Sequence, residues 1–317
     1  MSLLLTKQIA ELFIMILLGY ILVKSNLLTK QDSKVLSTVA LYIVTPCVII
    51  HAFQVQHSQD VKNGLILSFL AAIIIHIIYI VGVRIVGKAY TLNGVEKATI
   101  IYTNAGNLII PLVQALLGKE WVVYTTGYIL VTTIFIWTHG RMLICEEKGF
   151  NVKELLKNVN VVACIMGILM FALKIQFPSL ITETMDSISA TIAPISMIVA
   201  GMLIAGMDVK DCLKNKRLYI ITFLKMIVFP LFAVSLLKFT NLSSMVKNGD
   251  MILLINLLAS IAPTAASVTQ LAQIYDADSE YASAYYFKLL FCKWVVIIRL
   301  FTMFRAYCIP ISHFFWR

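Results

Sequence analysis

Long apolar runs broken by short polar punctuation recur along the whole chain. Ten of them reach the length of a membrane span: residues 8–23, 34–55, 63–87, 96–118, 121–143, 159–175, 187–206, 218–238, 250–274 and 281–308. A helix needs roughly 20 such residues to cross the hydrocarbon core. Barrel strands would alternate in polarity over about ten residues, whereas these runs stay apolar for twice that. The pattern therefore predicts an all-α integral membrane protein of ten transmembrane helices. Composition agrees, since 60% of the 317 residues are hydrophobic and only 13% are charged, against about a quarter in a water-facing domain. No large soluble domain fits in what remains. The first run follows a single cation, Lys7, and no small-residue cleavage site comes after it, so it reads as helix 1 and not as a signal peptide.

The formal net charge of +10 could mark nucleic acid, an anionic surface or membrane topology, and its distribution decides for topology. The loops after helices 1, 3, 5 and 7 carry fourteen Lys and Arg, against six on the other side up to the loop after helix 8. The positive-inside rule places the first set in the cytoplasm, with both termini outside a cell (plasma) membrane and no role for nucleic acid. The longest cytoplasmic loop divides the chain into a first five-helix repeat (1–143), a linker (144–158) and a second five-helix repeat (159–317). Because five is odd, the two halves enter the membrane in opposite orientation, an inverted repeat.

Prolines fall in corresponding helices of the two halves. Pro46 and Pro111 lie in helices 2 and 4, 65 residues apart; Pro194 and Pro263 lie in helices 7 and 9, 69 apart. Asn104 precedes Pro111 by seven residues, and Asn256 precedes Pro263 by seven. A proline removes a backbone donor and frees a carbonyl that lipid cannot satisfy, so such breaks survive where protein, water or a ligand supplies partners. Prolines and asparagines also serve as kinks and interhelical glue, but the pairing across two halves favours a ligand site. Half-helix N-termini and side-chain amides suit a carboxylate. The expected ligand is a small organic anion, with Asn104, Asn107 and Asn256 as donors and Ser260, Thr264 and the backbone near Pro111 and Pro263 completing the cradle.

Three ionisable residues within the spans are candidates for coupling or charge balance: Glu11 in helix 1, His76 in helix 3 and Lys225 in helix 8. Lys225 reads equally as a substrate counter-ion or as a cation snorkelling to the cytoplasmic face. The breaks of helices 4 and 9 contain no Asp or Glu, which gives sodium coupling no support; proton coupling and uniport both stay open. The six cysteines form no CxxC pair and no metal-ligand spacing with histidine, so neither metal nor other cofactor is expected. An intramembrane enzyme would need a nucleophile with its base, an HExxH cluster or paired mid-membrane acids, and none is present. A receptor or sensor for a small anion is the remaining alternative, with its output supplied by a separate partner.

Gly19-Tyr20 followed by Lys24, the Thr45-Pro46 break, the run Asn104-Ala-Gly-Asn107-Leu-Ile-Ile-Pro111 with Gly118-Lys-Glu120, and Ala262-Pro263-Thr264-Ala-Ala266 through Ala272-Gln-Ile-Tyr275 resemble the auxin efflux carrier family of permeases, including its bacterial organic acid and malonate transporter-like members. The likeness runs from about residue 8 to 284. It implies a fold similar to that of bile acid sodium symporters, in which broken helices 4 and 9 cross at the substrate site. It further implies a scaffold of helices 1, 2, 6 and 7 that forms a homodimer, and a moving domain of helices 3–5 and 8–10 that works as an elevator. The substrates it implies are carboxylates, malonate- or malate-like or auxin-like. A glycine common in the family two residues before the helix 4 proline is Ile109 here. After Ala284 the family's uncharged Ser/Thr-rich helix is replaced by a stretch with Lys288, Lys293, Arg299 and Arg305, a poor spanning segment. Either a basic last helix faces a cavity or the C-terminus has been altered, as by a frameshift; the abruptness of the change favours the second.

Overall fold

The computed structural model describes residues 2–54, 58–105, 109–110, 113, 117–146, 157, 159–206, 216–262, 264–279, 281–283 and 285. Among these residues the chain is helical and contains no strand. Five helices are long and apolar enough to cross a membrane: α2 (Lys30–His51), α3 (Gln59–Ala89), α5 (Glu120–Ile144), α7 (Ser179–Ala205) and α8 (Lys216–Phe239). Between them lie α1 (Ser2–Lys24), α4, whose first piece is Gly94–Ile101, and α6 (Val159–Ala172). The last, α9, comes in two pieces, Gly249–Ser260 and Ala266–Ile274. These positions follow the first nine apolar runs. The tenth run and the basic C-terminus lie outside the described residues except for 281–283 and 285, and so does most of the linker 144–158.

The outer faces carry the mark of lipid. Ile66, Leu70, Ile73 and Ile77 recur every three or four residues along α3 and are all exposed, while His76, Tyr79 and Ser68 on its other face are buried. A soluble protein would reverse this.

The helices pack in two groups. One joins α1 to α7 and α2 to α6 and α7; the other joins α3 to α5, α8 and α9, with α4 against α3, α5 and α8. In the first group a Cβ on Gly19 would fall 2.1 Å from the Ile198 carbonyl oxygen, and one on Gly201 would fall 1.9 Å from that of Ile16. Backbone thus lies directly on backbone, the close approach that small residues permit between membrane helices. The groups meet at an apolar cluster of Leu130 with Ile49, Phe53 and Ala163, and through the second piece of α9. There Gln273 Oε1 accepts from Ser37 Oγ at 2.7 Å and its Nε2 donates to Ser33 Oγ. Gln270 Nε2 lies 3.3 Å from Ser196 Oγ, and Lys34 pairs with Asp276 at 2.9 Å.

Pro46 and Pro194 each interrupt their helix through a local device. Before Pro46, α2 widens into a π-helical turn, Ala40–Val44, in which Ala40 O accepts from both the N–H and the hydroxyl of Thr45, while Leu41 O, which the missing N–H of Pro46 would have met in such a turn, accepts from Asn160 Nδ2 at 2.9 Å. Before Pro194, α7 is interrupted at Ala190 and Thr191, so the proline falls in the first turn of Ile192–Ala205, where it costs no internal hydrogen bond. The preceding piece, Ser179–Ser189, extends helix 7 eight residues before the expected start at 187.

Candidate functional site

The site grows from the two broken helices. The first piece of α4 begins with a reciprocal cap, in which Asn93 Oδ1 accepts from Glu96 N and Glu96 Oε2 accepts from Asn93 N, both at 2.8 Å. It ends at Ile101, after which Tyr102 turns extended. In α9 the helix likewise ends at Ser260, and the chain resumes helical form at Ala266. The two extended breaks meet as one antiparallel bridge between Thr103 and Thr264. Ala265 N donates to Tyr102 O at 3.1 Å, and Thr264 Oγ1 donates to Thr99 O at 3.0 Å. Each break therefore supplies part of what the other lost.

Beside this crossing lies a cavity of about 590 Å³. Thr103, Asn104 and Ala105 of the first break and Ala265, Ala266 and Ser267 of the second form one wall; α5 contributes Thr126, Thr132 and Thr133. The opposite wall comes from α2 and α7, with Thr45, His51, Gln54, Asp186, Ser189 and Ser196. It thus lies between the two packing groups. His51 Nε2 and Asp186 Oδ1 are 3.0 Å apart and are the only charged or basic side chains among the described lining residues. Gln54 accepts from Phe177 N through Oε1 at 2.9 Å, while its Nε2 and the Ser189 Oγ are buried with no hydrogen-bond partner.

Of the residues expected to cradle the anion, Asn104 lines this cavity, and Asn107, Pro111 and Pro263 lie outside the described residues. Asn256, Ser260 and Thr264 are wholly buried and do not line it. Asn256 Nδ2 donates to Ser68 Oγ at 3.0 Å and to Ile252 O at 2.9 Å, tying α9 to α3, and Ser260 Oγ donates back to Leu257 O at 2.7 Å. The proline spacing found the right helices, but an amide seven residues before a proline faces wherever helical rotation takes it. Asn256→Ala is expected to lower stability by about 1–3 kcal/mol, the cost of stranding buried polar partners. Its thermal midpoint in detergent checks this, and an unchanged midpoint would show that the Ser68 link carries nothing.

Glu11 is exposed on α1 and lines no part of the cavity. His76 is buried, with Nδ1 2.7 Å from Ala72 O and Nε2 3.1 Å from Thr132 Oγ1, stacked on Phe135 with ring centres 5.4 Å apart. Since Thr132 faces the cavity, His76 stands one residue behind its wall. Lys225 corrects the snorkelling reading, because it is fully buried and points inward to the crossing. Its Nζ donates to the carbonyls of Thr99, Ile100 at 3.2 Å and Tyr102 at 2.8 Å. The family resemblance assigns helices 2 and 7 to the scaffold and names no ligand group on them. Gln54, Ser189 and Ser196 change that, and the signal that could have found them is their place within about two turns of Pro46 and Pro194.

The sequence model of the membrane transport protein family, the family of the auxin efflux carriers, matches residues 4–154 and again 148–303. The chain belongs to this family. No curated protein matches it. As a membrane transport protein it is a multi-pass transporter, and the two matched segments together take in both broken helices and the whole cavity wall. The second match continues past Ala284, so the family likeness does not stop where its short motifs do. Among the described residues no group of His, Cys, Asp and Glu could hold a metal ion.

Proposed function

We propose that this membrane transport protein carries small organic carboxylates and that the cavity beside the crossing is where they bind. The observation that supports this most directly is the chemistry of the wall. It offers the Asn104 amide, the unpartnered Gln54 Nε2 and Ser189 Oγ, and a single carboxylate, already paired with His51. Buried donors without acceptors are costly in the empty state and favour a ligand that brings oxygen atoms. Malonate-like, malate-like and auxin-like acids all present such oxygens.

The remaining architecture is read in the same way. Ten helices form two inverted repeats; α1, α2, α6 and α7 are the fixed body through which two copies pair, and the α3–α5 and α8–α9 group moves past it as an elevator. With the basic loops cytoplasmic and both termini outside the plasma membrane, the wall from α2 and the start of α7 belongs to the outer half, so the cavity faces outward. No cofactor takes part.

Uptake of a labelled carboxylate into proteoliposomes tests the reading. Asn104→Ala is expected to abolish uptake while leaving the protein folded, and Gln54→Leu to raise KM by about tenfold, the value of one hydrogen bond to a charged group. Wild-type kinetics in both variants would remove the cavity from the mechanism.

A further inference from the structure

The strongest unexplained group in the molecule is the Lys225 side chain. It is fully buried, and among the described residues no carboxylate pairs with it. Its position follows from a π-helical turn, Leu224–Val228, just before Pro230, another widening of the kind seen before Pro46. What surrounds Nζ is oxygen: the carbonyls of Thr99, Ile100 and Tyr102. Two of these also accept from the other break, Thr99 O from Thr264 Oγ1 and Tyr102 O from Ala265 N.

These oxygens exist because α4 stops. The carbonyls of Thr99 and Ile100 would have bonded the amides of Thr103 and Asn104 had the helix continued, and at a helix end they carry the negative pole of the dipole. Carbonyls only accept, so three of them around one nitrogen suit an ammonium group, which has a hydrogen for each. The C-terminal end of a broken membrane helix is also the kind of place where transporters hold a coupling cation. Here the oxygens are met by a side-chain nitrogen that cannot leave.

We propose that Lys225 is a tethered cation: its ammonium fills an oxygen cage at the helix crossing that would otherwise require a free monovalent cation, so transport proceeds without a sodium ion. The inference rests on the carboxylate-transport reading for its coupling consequence, and on geometry alone for the cage. Removing the side chain beyond Cβ empties the cage without removing its oxygens, so Lys225→Ala acquires a cation site that the wild type lacks.

Two measurements test it, with sodium, ammonium and n-propylammonium as probes against choline, which is too large for the cage. In proteoliposomes, wild-type uptake is expected to be the same in sodium and in choline. Lys225→Ala uptake is expected to fall by about tenfold or more in choline, the loss of hydrogen bonds from a charged donor, and to recover in at least one of the three probes. In detergent, the same probe is expected to raise the thermal midpoint of Lys225→Ala and not that of the wild type. Sodium-dependent wild-type uptake overturns the proposal, as does a folded Lys225→Ala protein that responds to no probe in either measurement. Should Lys225→Ala not fold, Lys225→Arg and Lys225→Met decide: a stable arginine variant and a destabilised methionine variant support the cage, and equal stability of the two overturns it. If the wild type moves no carboxylate, the transport reading fails, while the midpoint shifts still judge the cage.

Discussion

Arg217→Met is expected to lower stability by about 3–5 kcal/mol, the cost of leaving a buried charge without its partner. The charge stranded is Glu96, whose side chain is 1% exposed. Its carboxylate accepts from Arg217 Nε and, at 2.8 Å, from Arg217 Nη2. The hydroxyls of Tyr281 and Tyr285 also donate to it, at 3.2 and 3.3 Å. This cluster joins the start of α4, the start of α8 and the segment after α9, and so fixes the half-helix that carries the crossing. The converse change is milder for a physical reason. Glu96→Gln leaves Arg217, whose side chain is 39% exposed, able to turn its guanidinium to water, and the new amide still accepts a bond; a loss of roughly 1–2 kcal/mol is expected. Thermal midpoints of the purified variants in one detergent check the ranking. Equal shifts, or a larger one for Glu96→Gln, would mean that the carboxylate is better solvated than its burial implies.

Gly201→Val is expected to prevent assembly of the folded protein. A side chain there would stand 1.9 Å from the Ile16 carbonyl oxygen, a backbone atom that cannot swing aside, and Gly19 makes the reciprocal contact at Ile198. Valine would push α1 off α7 along their whole shared face, and in lipid no hydrophobic force draws them back together. Gly206→Ala supplies the contrast. The atom met there is Cδ of Lys30, at 2.7 Å, the far end of a flexible side chain, so near-normal yield is expected. Size-exclusion profiles of the two variants after solubilisation measure the difference; a monodisperse Gly201→Val protein would overturn the packing argument.

Much of this molecule was legible before its structure was seen, and the reasons for the gaps are physical. Continuous apolar runs set the helices because lipid demands them, which is why 63–87 and Gln59–Ala89 nearly coincide. The start of α7 escaped because Ser179–Ser189 is two-faced: Glu183 and Asp186 interrupt the hydropathy, while buried Met185 shows the inner side. Paired prolines located the two breaks that meet at Thr103 and Thr264. Which polar atoms look into the cavity was another matter, since that depends on helix rotation and on neighbours distant in sequence. Asn256 turned to Ser68, 188 residues away, and Gln54 gained its role only when Phe177 took one end of its amide. Lys225 was ambiguous for the same reason: a lysine near a span end can reach outward or inward, and only the broken end of α4 tells which.

The contacts of the second piece of α9 with α2 and α7 differ in kind from the glycine-tight face of α1 and α7. Gln273 spans Ser33 and Ser37, Gln270 reaches Ser196, and Lys34 meets Asp276. The Gln and Ser partners are buried, so breaking one bond without a replacement costs about 1–3 kcal/mol, while the exposed ion pair is worth roughly 0–1. Backbone pressed on backbone at Gly19 and Gly201 has no partners to exchange. The molecule thus holds two seams of opposite character, one fused by shape and one basted with polar stitches that a change of rotamer can unpick and resew.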